Sequence, residues 1–199
     1  MFFSSNPSSK KRREVFFATS NLHKFKEIKT LAAGYGLTVR RLAFKPVEIQ
    51  SEDLASIARN SLTQVLEKHH LPVMVEDAGL FIQSLRGFPG PYSSYVYRTL
   101  GVEGVLRLMK GQNRRKAYFL SVIAYGSPKA KPQLFTGKVE GLIVEESRGK
   151  GGFGFDPLFQ PHGCSQTFAE MSLAVKNQFS HRAQAFRKLA CWLAKAKFL

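Results

Sequence analysis

Residues 14–33 read EVFFATSNLHKFKEIKTLAA, and the period of the apolar residues changes once within them. Glu14 to Ala18 is a short apolar run of strand length. Thr19, Ser20 and Asn21 form a polar turn. Beyond it Leu22, Phe25, Ile28, Leu31 and Ala32 fall at helical spacing, and Gly34 and Gly36 follow as stop signals. A strand feeding a polar turn feeding a helix is the first unit of an α/β fold, and it commits the chain to a sheet with helices packed against it.

The rest of the chain continues that pattern. Strands are expected at Leu37–Ala43, from Pro72 onward, at Lys116–Tyr125 and at Gln133–Ile143, with a hairpin across Gly126-Ser127-Pro128 and a candidate bulge at Gly141. Helices are expected at Leu54–His69, Ser93–Leu100, Val102–Met109 and Ser180–Lys197. Pro46–Ser51 reads as a connecting segment, and Gly87, Pro89, Gly90 and Pro91 as a tight, rigid loop. No repeat and no long linker interrupts the chain. Residues 14–199 are therefore expected to form a single α/β domain of two lobes around a cleft, preceded by a disordered basic tail, residues 1–13.

Composition narrows the function classes. No stretch approaches 18 apolar residues, so no transmembrane helix is expected. The start, MFFSSNPSSKKRR, lacks the apolar core and small-residue cleavage site of a secretory signal. Cys164 and Cys191 are far apart and form no C-x-x-C, which reads as free thiols in a reducing cytoplasm. The net charge of +16 favours polyanionic partners such as nucleotides or nucleic acid.

The candidate chemistry sits in four places. In LPVMVEDAGLFIQSL, residues 71–85, an apolar run ends in Glu76 and Asp77 before Ala78 and Gly79. It reads as a strand tip carrying two carboxylates, groups that are costly to bury unless paired, hydrogen-bonded or bound to metal. The amides of Thr19 to Asn21 open a helix and can bind an anion, with Ser20 or Asn21 as cap. Lys24 stands in the first turn, where a cation opposes the helix dipole unless it reaches a phosphate. In GKGGFGFDPLF, residues 149–159, G-x-G-x-x-G is matched formally, but Pro157 and aromatics follow instead of a helix start, and no P-loop is present. Its glycines permit close approach to a ligand, Phe153 and Phe155 offer faces to a base or to the core, and Asp156 offers an acceptor. In KNQFSHRAQAF, Lys176, His181 and Arg182 gather near the last helix, with Ser180 as its cap. Metal spacing is absent at His181, at His69-His70 and at His162 with Cys164. The carboxylates of Glu48 and Asp77 suit Mg²⁺ bound together with substrate phosphates. The residues by themselves point to a nucleoside polyphosphate with Mg²⁺.

These segments, in this order, resemble the inosine triphosphate pyrophosphatase family, which acts on non-canonical purine nucleoside triphosphates. FATSNLHKFKE is similar to its A-T-G-N-x-x-K-x-x-E motif. VEDAGLFIQSLRGFPGPYSSYV is similar to its acidic motif with the G-x-P-G-x-Y-S loop, and GGFGFDPLFQPHGCSQTFAEMSLAVKNQFSHRAQAF to its C-terminal signature. The resemblance spans residues 14–195. It implies Mg²⁺-dependent hydrolysis of ITP, dITP and XTP to monophosphate and pyrophosphate, a mixed central sheet flanked by helices, two lobes with the site between them, and a cytoplasmic homodimer with no membrane or specific nucleic-acid partner.

Carried over by motif, Thr19, Ser20, Asn21, Leu22, His23 and Lys24 would hold the triphosphate. Asp77, followed by Ala78, would bind metal and act as or position the base for the attacking water, with Glu48 as second metal ligand. Phe153, Gly154, Phe155 and Asp156 would pack against and hydrogen-bond the base. Lys176, His181 and Arg182 would contact it and its 6-oxo edge. Three positions depart from the family pattern: Ser20 where Gly is common, Ala78 where Ser or Thr is common, and Gln64 where a Lys is common, with Arg59 a turn away as a substitute phosphate contact. Glu76 stays open between a metal-side group and a salt bridge. Two rival readings are a nucleic-acid-binding protein, which the strand-borne acids oppose, and a pyrophosphatase for modified pyrimidine nucleotides, which the SHR and FGFD segments oppose by resemblance.

Overall fold

The computed structural model describes residues 13–128 and 130–195. The expected tail lies outside them except for Arg13, which belongs to the first strand. In chain order the elements are β1 (Arg13–Ala18), α1 (Leu22–Ala33), β2 (Leu37–Leu42), α2 (Leu54–Lys68), β3 (Val73–Ile82), β4 (Pro89–Gly90), α3 (Ser93–Thr99), α4 (Gly101–Leu108), β5 (Lys116–Ser127), β6 (Ala130–Ile143), β7 (Phe159–Pro161), α5 (Leu173–Phe179) and α6 (His181–Lys195).

Among the described residues seven strands form one mixed sheet, ordered β2-β1-β3-β5-β6-β7, with β4 pairing to β3. The β1–α1–β2 and β2–α2–β3 crossovers put β1 parallel to both β2 and β3. From β3 onward the pairing is antiparallel. The strand alternation divides the core. Val15, Phe17, Val39 and Met74 face α1 and α6. Ala18, Val73 and Val75 face α2. The far halves of β3, β5 and β6 carry a third cluster, in which Leu80, Ile82, Phe119 and Ile143 meet α3, α4, Phe159 and Phe168. Phe159 and Phe168 are fully buried, each contributing about 2–3 kcal/mol through removal from water. Two packed lobes therefore share the long strands.

Several expectations shift. β3 does not end at Asp77 but continues to Ile82, so the carboxylates lie at the waist of a ten-residue strand. There β3 has lost its parallel neighbour, because β1 pairs only as far as Phe17 opposite Met74, while β4 begins opposite Leu80. Gly79 is small for β4's sake: a Cβ there would lie 2.2 Å from the Gly90 carbonyl oxygen. Gly141 is no bulge, since it pairs in register with Ala117 and Pro161. The irregularity falls between Tyr125 and Ser127. Lys176, expected near the start of the last helix, lies on α5, a separate two-turn helix capped by Ser172 that directly precedes it. Ser180 does cap α6, its hydroxyl accepting from the Ala183 amide. No described helix is long and apolar enough to cross a membrane.

Candidate active site

A cleft of about 530 Å³ opens at the waist. Its floor is β3, and alternation sends the two neighbouring carboxylates of that strand into different surroundings. Glu76 shares the face of Met74 and points between α1 and α6. Its side chain is fully buried, paired with Lys24 Nζ at 2.9 Å and Arg182 Nε at 3.1 Å, and the Ser121 hydroxyl donates to it at 2.6 Å. Burial alone would raise its pKa, but the Arg182 and Lys24 charges and the Ser121 bond bring it well below the usual carboxylate range. Glu76 is thereby a salt-bridged anchor for two cations.

Asp77 takes the opposite face, that of Val75 and α2, and lines the cleft together with Glu48. Burial raises its pKa, and the Glu76 and Glu48 charges add to that against Lys24, so it stands at about 6. Its Oδ1 accepts the Ala78 amide at 2.9 Å. The rest of the carboxylate lines the cleft, and among the described residues no cation lies within ion-pair distance of it.

Helix α1 forms the next wall. Asn21, rather than Ser20, is its cap, accepting from the Lys24 amide at 3.1 Å. The amide of Thr19 is engaged by Leu42 O and that of Asn21 by the Thr19 hydroxyl. Lys24 Nζ also donates to the Glu76 carbonyl at 3.3 Å. Glu76 thus offsets the dipole conflict anticipated for this lysine.

One turn further, Glu27 is buried and binds Lys176 Nζ at 2.8 Å and Arg182 at 2.6 Å. Lys176 in turn meets Asp156 at 2.6 Å. The result is a buried, alternating series: Asp156, Lys176, Glu27, Arg182, Glu76, Lys24. Sequence reasoning assigned Glu27 no role, although it is the final Glu of the FATSNLHKFKE motif, beside Ile28 and three residues after Lys24.

The aromatic side of the cleft follows from the 149–156 loop. Gly152 has φ +69°, and a Cβ there would lie 2.1 Å from the Asp156 carboxylate. The close approach that this glycine allows is to the chain itself. Asp156 Oδ2 accepts the Phe153 amide at 2.8 Å and pins the loop. Phe155 is buried in the second lobe's core. Phe153 is half-buried, stacked by His23 at 5.1 Å, with Lys176 Nζ 5.1 Å and Arg182 Cζ 5.5 Å from its ring centre. His181 stacks on Phe119 at 4.7 Å. Burial, then the Arg182 and Lys176 charges, hold its pKa well below the ordinary value, so the ring is neutral, with one nitrogen to donate and one to accept.

Of the residues expected at the site, the cleft brings together Thr19, Ser20, Asn21, His23, Lys24, Glu48, Asp77, Ala78, Phe153, Gly154, Phe155, Asp156, His181 and Arg182. Leu22 points outward, and Lys176 is 3% exposed behind Phe153. Neither Gln64 nor Arg59 is on the wall; Ser61 of the same helix is, as are Lys45, Arg98, Tyr97 and Phe119.

A model of the Ham1 family matches residues 15–192 of the chain. The dITP/XTP pyrophosphatase of Methanopyrus kandleri is 46% identical over 179 residues, 90% of this chain and 95% of that protein. The dITP/XTP pyrophosphatase of Pyrococcus horikoshii is 44% identical over 180 residues, 90% of this chain and 96% of that protein. Among solved structures, the Ham1 protein of Staphylococcus aureus has a TM-score of 0.81 at 27% identity, with 93% of this chain and 100% of that one covered. A HAM1 protein from Coxiella burnetii has a TM-score of 0.80 at 28% identity, with 92% and 100% covered.

Proposed function

Because the chain belongs to the Ham1 family and is a nucleoside-triphosphate pyrophosphatase, a hydrolase, we propose that it converts dITP, ITP and XTP to the monophosphate and pyrophosphate with Mg²⁺ held by Asp77 and Glu48. The observation that carries this reading is the split of Glu76 and Asp77. One carboxylate is neutralised inside the fold, and the other is left facing a cleft whose far side is aromatic and hydrogen-bonding. The donor set suits Mg²⁺. Among the described residues no group of three or more His, Cys, Asp or Glu converges, and Mg²⁺ takes one or two protein carboxylates and completes its shell with water and phosphate. When bound it supplies charge neutralisation at the phosphates and a more acidic water.

The protein's own groups do the rest. Lys24, fixed by Glu76, presents its remaining N–H toward a triphosphate at the start of α1. Asp77 accepts the proton of the attacking water. Phe153 offers the base the ring face on which His23 is stacked here, with His23 moving aside, while Asp156 and Lys176 hold that ring in place. Neutral His181 and Arg182 donate to a 6-oxo oxygen. A 6-amino group would leave those buried donors unpaired, which disfavours ATP. The reading includes a homodimer built on the exposed Tyr92, Tyr95, Leu100 and Leu108, checked by light scattering, and a cytoplasmic setting, in keeping with the free Cys164 and Cys191. The test is chromatographic product analysis of ITP, dITP, XTP, ATP and GTP with and without Mg²⁺. Mg²⁺-dependent monophosphate and pyrophosphate from the first three is expected; equal turnover of ATP would overturn the base-selective pocket.

A further inference from the structure

We propose that Gln64 is a positioning residue that sets the Glu48 carboxylate against Asp77 by clamping the segment that carries it. The proposal rests on the reading of Glu48 and Asp77 as metal ligands. Residues 43–53 connect β2 to α2 without regular structure. They line the cleft through Phe44, Lys45, Pro46 and Glu48. Packing does not hold the middle of this segment, because Val47 is 77% exposed.

Hydrogen bonding does. Gln64 Oε1 accepts the Val47 amide at 2.9 Å, and Gln64 Nε2 donates to the Val47 carbonyl at 2.8 Å. The side-chain amide thus pairs with both polar groups of one residue, as a neighbouring strand would. Gln64 Nε2 is itself oriented by Asn60 Oδ1 at 2.7 Å, one turn earlier on α2. Among the described residues, these are the only hydrogen bonds that tie residues 45–50 to the body of the protein. The clamp acts on the residue next to Glu48 and takes its rigidity from a helix that packs on the same face of β3 as Asp77. Only a group that both donates and accepts can make it. A lysine in its place would have no acceptor. Gln64 therefore serves the site from outside the cleft wall, by fixing one carboxylate relative to the other.

The experiment uses the full chain stripped with EDTA and titrated with Mn²⁺ alone, followed by electron paramagnetic resonance of the free ion. Four proteins are compared: the unaltered chain, Glu48→Gln, Gln64→Met, which keeps length and helix propensity, and Gln64→Asn, which keeps the amide but cannot reach. Glu48→Gln should weaken Mn²⁺ binding at least about tenfold, and each Gln64 variant should do the same. Melting temperatures of the Gln64 variants should stay within about 2 °C of the unaltered chain, since one half-buried surface amide is lost. If Glu48→Gln weakens binding but both Gln64 variants bind within twofold of the unaltered chain, the positioning role is wrong and the ligand reading stands. If Glu48→Gln itself binds within twofold, the ligand reading fails and the inference falls with it.

Discussion

Replacing Asp77 with Asn should make the metal-free protein more stable while removing its activity. Asn keeps the oxygen that accepts the Ala78 amide, so the substitution isolates the charge. Burial, Glu76 and Glu48 raise the Asp77 carboxyl from its ordinary 3.8 to about 6, and at 1.36 kcal/mol per pH unit that is about 3 kcal/mol. The carboxyl faces an open cleft, where water and salt screen it, which reduces the figure to roughly 1–2 kcal/mol. The folded state binds the proton more tightly than the unfolded chain does. Stability is therefore lost as pH rises from about 4 through 6, and the loss is complete above 6. For a domain of this size Asp77→Asn should raise the melting temperature by about 3–6 °C at pH 8 in EDTA. The gain should shrink to a small remainder near pH 4 and vanish near pH 3, as the carboxyl becomes protonated in both states. Thermal unfolding by circular dichroism across that range, with excess EDTA, is the assay. A variant no more stable than the unaltered chain at pH 8, or one whose advantage persists undiminished at pH 4, would refute the electrostatic reasoning. Added Mg²⁺ should reverse the order, because the unaltered chain then gains a partner that the variant lacks.

Two further substitutions probe the walls of the cleft. Glu27→Gln leaves Lys176 and Arg182 short of one buried counter-charge and should cost about 3 kcal/mol at pH 7, read as a midpoint shift in urea. The Glu27 pKa is lowered by Arg182 and Lys176 against the opposing effect of burial. Its contribution is thus present above the usual 4.5 and is lost as pH falls through the folded value, so the difference should close in acid. Phe153→Ala removes the face offered to the base and should raise KM for ITP about tenfold or more, at 1–3 kcal/mol for base stacking. An unchanged KM in steady-state kinetics would remove Phe153 from the base site.

Long periodic segments were legible in the sequence. The helical stripe Leu22–Ala33 and the strand Glu14–Ala18 are found within a residue of the expected bounds, because burial of one face leaves a period that composition cannot imitate. Short elements were legible only in part. α3 and α4 lie within a residue of their expected bounds, whereas α5, of seven residues, and β4, of two, were not expected. What holds β4 is tertiary: Ser93 Oγ accepts the Leu80 amide and donates to Gly90 O. Ala78-Gly79 looked like a strand end because glycine punctuates chains, whereas here it admits a neighbouring backbone. The residue types of the candidate site were readable, since carboxylates after an apolar run are conspicuous. Their division of labour was not. That Glu76 turns inward and Asp77 outward depends on the register of β3 against Arg182 and Lys24, which come from distant parts of the chain. Gln64 carries no local signal, its partner Val47 being an exposed loop residue.

The buried series from Asp156 to Lys24 has a consequence for how such a protein can change over generations. Each internal link touches two oppositely charged neighbours, so a single substitution strands a charge in the interior. These positions can drift only in matched pairs, a rare event, whereas Lys45 and Arg98 on the rim of the cleft can be exchanged one at a time. Divergence in substrate preference should therefore accumulate first around the mouth of the cleft and last along its spine.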